Sequence, residues 1–146
     1  VSTVGHVASE ADCIFCGIVT GSLPSVTIAR TERAVAFMDI NPVTPGHALV
    51  IPQAHATDLF DIDADDLAAC AHLAQDVAGR VTDRLGADGV NLLQCTGAAA
   101  WQSVFHFHLH VIPRYRDQPD KDAARLPWDP TPGDLDEIAR LGRRLA

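Results

Sequence analysis

Three histidines alternate with apolar residues in the run Phe105-His106-Phe107-His108-Leu109-His110-Val111. A spacing of i, i+2, i+4 gathers side chains on one face only in an extended strand, with same-face Cα neighbours about 6.5–7 Å apart. The intervening Phe105, Phe107, Leu109 and Val111 assign the opposite face to the core. Imidazole, with an ordinary pKa of about 6.5, is mostly neutral at pH 7. A neutral imidazole can attack phosphorus, and a covalent phosphoimidazole divides one difficult displacement into two easier ones. Imidazole is also a metal ligand, so the spacing alone leaves a catalytic strand, a metal-binding strand and a polar sheet edge all open. Cys13 and Cys16 form a second cluster, a Cys-x-x-Cys pair that is half of a tetrahedral zinc site by its spacing.

These residues need elements to position them. Val104–Ile112 reads as the histidine-bearing strand, closed by Pro113. Val26–Thr31 and Ala34–Met38 are apolar runs around Glu32-Arg33, a hairpin pattern. Residues 40–46 hold Pro42 and Pro45 and form a rigid loop, followed by a buried strand His47–Ile51 that Pro52 stops. Gly89–Cys95 is a further strand, and Thr96–Trp101 a loop of small residues. Leu67, Cys70, Ala71, Ala74, Val77, Ala78, Val81 and Leu85 mark one apolar face of a helix from Ala64 to Leu85, capped by Asp63 and ended by Gly86. Thr131-Pro132 starts a last helix with Leu135, Ile138, Leu141 and Leu145 on its inner face. Short links between strands and segregated helices predict an α+β fold on an antiparallel sheet.

At 146 residues the chain is expected to form one domain, 13–146, after a flexible tail, 1–12. With 47% hydrophobic and 21% charged residues it can bury a substantial core. The net charge of −8 argues against a duplex nucleic-acid binder, which carries a basic face, but leaves room for one small nucleotide. No apolar run is long enough to span a membrane, and no basic segment leading into an apolar stretch signals secretion. Cys13, Cys16, Cys70 and Cys95 do not form a secreted disulfide framework, so a reducing cytoplasm is expected.

The string from Gln102 to Arg114, QSVFHFHLHVIPR, resembles the signature of the histidine-triad (HIT) nucleotide-binding family, in its zinc-bearing bacterial form. Phe37-Met38-Asp39-Ile40-Asn41-Pro42, Pro45–Pro52 and Cys13–Ile18 resemble three further family blocks in the same order. The core motifs cover residues 13–116, and residues 117–146 form a C-terminal extension. The resemblance implies a five-stranded antiparallel sheet with a long helix and a C-terminal helix, and a homodimer whose sheets continue each other. It implies that His108 is the nucleophile, that His110 contacts phosphate and leaving group, and that His47 sets the histidine network. By the same resemblance Asp39 receives the ribose hydroxyls, Gln102 and Ser103 contact phosphate, and Phe15, Ile18, Leu23, Phe37 and Ile40 wall the base pocket. The resemblance also implies that His55 and His106 complete a structural Zn²⁺ site with Cys13 and Cys16.

The implied activity is a purine nucleoside phosphoramidase-like hydrolysis or transfer at the α-phosphate of AMP- or GMP-type ligands. A dinucleoside polyphosphate hydrolase and a non-catalytic zinc-bearing nucleotide binder are the alternatives. His110 stands against the phosphorylase branch, which tends to carry Gln there. Two positions depart from the family pattern: Cys95, where many relatives have an amide side chain, and Trp101, where many have Gly.

Overall fold

The computed structural model describes residues 12–125 and 132–146. The expected tail, apart from Asp12, and the proposed helix start at Thr131 lie outside them. The chain runs α1 (Ile14–Thr20), β1 (Thr27–Arg30), β2 (Ala34–Met38), β3 (Ala48–Pro52), α2 (Ala64–Leu85), β4 (Gly89–Gln94), β5 (Leu109–Arg114) and α3 (Leu135–Leu145), with one 3₁₀ turn at Ala98–Ala100. All pairings are antiparallel in the order β1-β2-β3-β5-β4, so the strand carrying His110 lies inside the sheet.

Strands β2 and β3 are covered on both faces, which is why they read as unbroken apolar runs. On one face Ala34, Ala36, Ala48, Val50 and Val111 pack under Cys70, Leu73, Ala74 and Val77 of α2. The small side chains of the strands let the helix approach closely. On the other face Val35, Phe37, Leu49 and Ile51 pack under Phe15 and Ile18 of α1. His110 is paired with Leu49, and therefore shares the α1 face. Burial pushes the Cys70 thiol up to about 12, as expected of a core cysteine.

The long helix spans Ala64–Leu85, with the Asp63 carboxylate accepting from the amides of Asp65 and Asp66. Gly46 is required where it stands. Its φ is +90°, and an added Cβ would lie 2.6 Å from Leu85 Cδ1 and 3.2 Å from Pro113 Cγ.

Three expectations need correction. The histidine strand begins at Leu109, not Val104. Residues 104–108 follow the loop after β3 instead: the Phe107 amide donates to Ala56 O, and pairing with β3 stops at Val50↔Leu109. In consequence Phe105 is half exposed while Phe107 is fully buried. Pro113 does not close β5, which continues to Arg114. Its carbonyl accepts from Thr44 Oγ1, so its missing N–H faces the loop before β3, where there is no strand to pair with. The last helix starts at Leu135 under an Asp134 cap, and it has no inner face within the described chain. Leu135, Ile138, Leu141 and Leu145 are all exposed, because periodicity defines a stripe but not what covers it.

The segment after β5 is tied down by charge. Asp122 receives Arg114 Nε at 2.8 Å and Nη2 at 3.2 Å, along with the amides of Tyr115 and Ala124. These donors hold its carboxyl at about 2, led by the Arg114 hydrogen bond. An unfolded aspartate titrates near 3.9, so the stabilisation is complete above that pH and is lost as pH falls through about 2. Asp122→Asn is expected to lower Tm at pH 7 and to flatten the fall in Tm between about pH 4 and 2. Circular-dichroism melts of both proteins across that range check it.

Candidate functional site

A cleft of about 480 Å³ opens on the α1 face, within the range of small-molecule sites. Its lining includes Phe15, Ile18, Leu23, Phe37, Asp39, Ile40, Ser103, His108 and His110. The five expected apolar wall residues are thus brought together, in two layers. Phe15, Ile18 and Phe37 are buried and form the floor, whereas Leu23 and Ile40 are exposed at the rim. Gln102 is brought to the site but does not line the cleft. Its amide is committed to Gly97 N–H, Thr57 O and Val104 O, so it braces the loop, whereas Ser103 lines the cleft. His47 is buried behind His110.

The hydrogen-bond partners assign the imidazole tautomers. His108 Nδ1 lies 2.8 Å from the His106 carbonyl, which can only accept. The proton is therefore on Nδ1, and Nε2 keeps its lone pair. His106 Nε2 lies 2.9 Å from Pro52 O, which puts its proton there and leaves the Nδ1 lone pair toward the cysteines. The Val43 amide donates to His47 Nδ1 at 3.0 Å, so neutral His47 carries its proton on Nε2. That Nε2 lies 2.9 Å from His110 Nδ1 and 3.4 Å from Asp39 Oδ2. His110 accepts at Nδ1 and presents Nε2–H.

Burial lowers the pKa of every one of these rings. His106 and His110 are pushed to about 4, the latter also by His108 and His47. His108 moves down, against the His106 hydrogen bond and the Asp39 charge, and His47 moves down against Asp39. Neutral imidazoles with fixed tautomers supply one lone pair and one N–H donor within a single cleft. The His108 and His110 ring centroids are 5.0 Å apart.

Cys13, Cys16, His55 and His106 form a four-donor cluster, their ligand atoms all within 4.8 Å of one another. Cys13 Sγ lies 3.4 Å from His106 Nδ1, and Cys16 Sγ lies 3.2 Å from His55 Nδ1 and 3.5 Å from His106 Nδ1. Donors in a tetrahedral shell with bonds of about 2.0–2.3 Å stand roughly 3.3–3.8 Å apart, so the set fits a metal ion. Cys13 also caps α1 through the Cys16 amide. Pro52 ends β3, His55 lies just beyond it, and His106 precedes β5. The cluster therefore joins the first helix to two strands.

The HIT domain sequence profile matches residues 20–117. The chain belongs to the HIT family. Across 92% of the HIT chain and 96% of its own length, an adenosine 5'-monophosphoramidase of Schizosaccharomyces pombe is 36% identical. A zinc-bound histidine triad family protein from Mycobacterium smegmatis is 38% identical and superposes with a TM-score of 0.74 over 92% of this chain and 93% of its own. A HIT family protein from Bacillus anthracis, 32% identical, superposes at 0.82 over 92% and 94%.

The HIT motifs pointed to side chains; the backbone groups that govern those side chains carried no signal. Val43 N–H, Pro52 O and His106 O orient the rings through their positions alone; any residue type supplies the carbonyls, and any but proline the N–H. At Cys95 burial pushes the thiol up. A thiol offers only a weak S–H donor where a side-chain amide offers an NH₂ and a carbonyl oxygen.

Proposed function

We propose that this HIT chain is a nucleotidyl hydrolase of the purine nucleoside phosphoramidase type, acting at the α-phosphorus through a nucleotidyl-histidine on His108. The observation that carries this reading is the His106 carbonyl, which holds the His108 proton on Nδ1 and leaves Nε2 nucleophilic. The base lies on the Phe15, Ile18 and Phe37 floor under Leu23 and Ile40, and Asp39 accepts from the ribose hydroxyls. Ser103 donates to a phosphate oxygen. The substrate's negative charge opposes the burial that keeps His47 and His110 neutral, so that pair, with Asp39 beside it, takes up one proton on binding.

His108 Nε2 then forms a bond to phosphorus as the P–N bond to the amine breaks, and the departing nitrogen takes the proton from His110. Water attacks the phosphohistidine, breaks the bond to His108 and returns its proton to the His47–His110 pair. The products are the nucleoside monophosphate and the free amine. His47 acts through His110 and is a positioning residue.

The Cys13, Cys16, His55 and His106 set is assigned to a structural Zn²⁺, closed by four protein ligands and so not a Lewis acid. A reducing cytoplasm suits these thiolates. A homodimer continuing the sheet is supported by β4, which ends the strand order.

The reading is tested by steady-state kinetics on adenosine 5'-phosphoramidate and on diadenosine polyphosphates, with rapid quench and intact-mass detection. The expected result is a kcat/KM at least about tenfold higher for the phosphoramidate and a covalent AMP adduct on His108. Preference for the dinucleotides would favour the polyphosphate-hydrolase alternative, and binding without turnover the non-catalytic one.

A further inference from the structure

Trp101 stands in a conformation that its residue type disfavours. Its φ is +73° and ψ 20°, in the left-handed region. Glycine enters that region freely, whereas a bulky side chain is strained there. Little of the indole is covered by the fold, since the residue is 81% exposed. A strained backbone persists only where its surroundings over-determine it, and such strain clusters at functional sites. Here the surroundings are a closed arch. The Gln102 amide donates to Gly97 O, the Gly97 amide donates to Gln102 Oε1, and the Trp101 amide donates to Ala98 O.

The place of that arch in the sheet sets which part of a ligand the indole can reach. The base-pocket floor belongs to α1 and β2, while His108 directly precedes β5 and His110 lies on it. Strand β4 lies on the far side of β5, with Gln94 opposite Leu109. The arch leaves from the end of β4 and returns through Ser103, which lines the cleft with His108 and His110. Trp101 is two residues from Ser103, a span of at most about 7 Å. A ligand with its base on the β2 side and phosphorus at His108 has its remaining substituent directed toward the β4 side.

We propose that Trp101 is a specificity-determining residue, an aromatic platform for the group beyond the α-phosphate, selecting nucleotide conjugates whose leaving amine carries a planar aromatic. This rests on the hydrolase reading above and adds the leaving-group class to it. Stacking on an exposed indole contributes on the order of tenfold in affinity.

The test compares two adenosine 5'-phosphoramidates, N-naphthylmethyl and N-methyl, on wild type, Trp101→Ala, Trp101→Phe and Trp101→Gly. The ratio of their kcat/KM values is read in each protein, so the intrinsic reactivity of the two amines cancels. The expected result is a ratio about tenfold lower in Trp101→Ala, carried by KM, and largely kept in Trp101→Phe. Trp101→Gly is expected to lose the preference with a Tm at or above wild type, because the strain is relieved; a merely structural tryptophan would give a lower one. Turnover of both compounds with a ratio that Trp101→Ala leaves unchanged overturns the inference alone. An unchanged ratio accompanied by a smaller mass in light scattering assigns the indole to an interface between copies instead. Turnover of neither compound by wild type defeats the hydrolase reading, and this inference with it.

Discussion

His108→Asn is expected to reduce kcat on adenosine 5'-phosphoramidate by about 10⁴-fold or more, while nucleotide binding persists. Asparagine is chosen because its side-chain NH₂ can still donate to the His106 carbonyl that now receives Nδ1–H at 2.8 Å. It fills much of the space beside Phe15, whose ring centroid lies 5.2 Å from that of His108. It lacks a nitrogen lone pair with which to attack phosphorus. The substitution therefore removes the covalent step and retains the architecture. Tm and the calorimetric affinity for AMP should stay close to wild type, and the AMP adduct should vanish from rapid-quench mass spectra. Ordinary turnover by His108→Asn would show that water is activated elsewhere in the cleft.

Loss of the metal should have the second large effect. Purified chain is expected to contain one zinc ion, and Cys16→Ser to contain almost none by elemental analysis. Cys16 touches both His55 and His106, so its replacement opens the cluster at its centre. A fall in Tm of about 10 °C is expected, since the cluster ties α1 to the strands and structural zinc contributes directly to folding. Activity should fall as well, because the same His106 whose ring meets the cysteines holds the His108 proton through its carbonyl. Cys70→Ala, buried under the other face of the sheet, should keep the full zinc complement. Wild-type protein that holds no zinc after growth with added zinc would remove the assignment.

Much of this was legible before any coordinates. Local periodicity determined α2 with its cap and its terminating glycine, and unbroken apolar runs determined β2 and β3. Both signals are short-range, and a chain that buries both faces of a sheet writes them plainly. The motif residues carried the site: the cleft unites Phe15, Asp39, Ser103, His108 and His110, and a separate cluster unites Cys13, Cys16, His55 and His106.

Where pattern reasoning failed, the deciding contact was distant in the chain. The alternation from Phe105 to Val111 suggested one strand with three equivalent histidines. The Ala56 carbonyl and the loop after β3 ended that strand early, and buried His106 away from the cleft. The stripe on α3 suggested an inner face, yet its apolar residues are exposed.

By itself, then, the sequence determined which side chains gather at the cleft and at the cysteine–histidine cluster, and most of the elements around them. The tertiary structure alone decided what each side chain does. Three histidines of one type differ because three backbone groups differ: Pro52 O turns His106 toward the cysteines, His106 O frees Nε2 of His108, and Val43 N–H, acting through His47, makes His110 a donor. Every residue supplies a backbone carbonyl, and every residue but proline an amide N–H, so their placement is set by the fold and leaves little mark in the residue types.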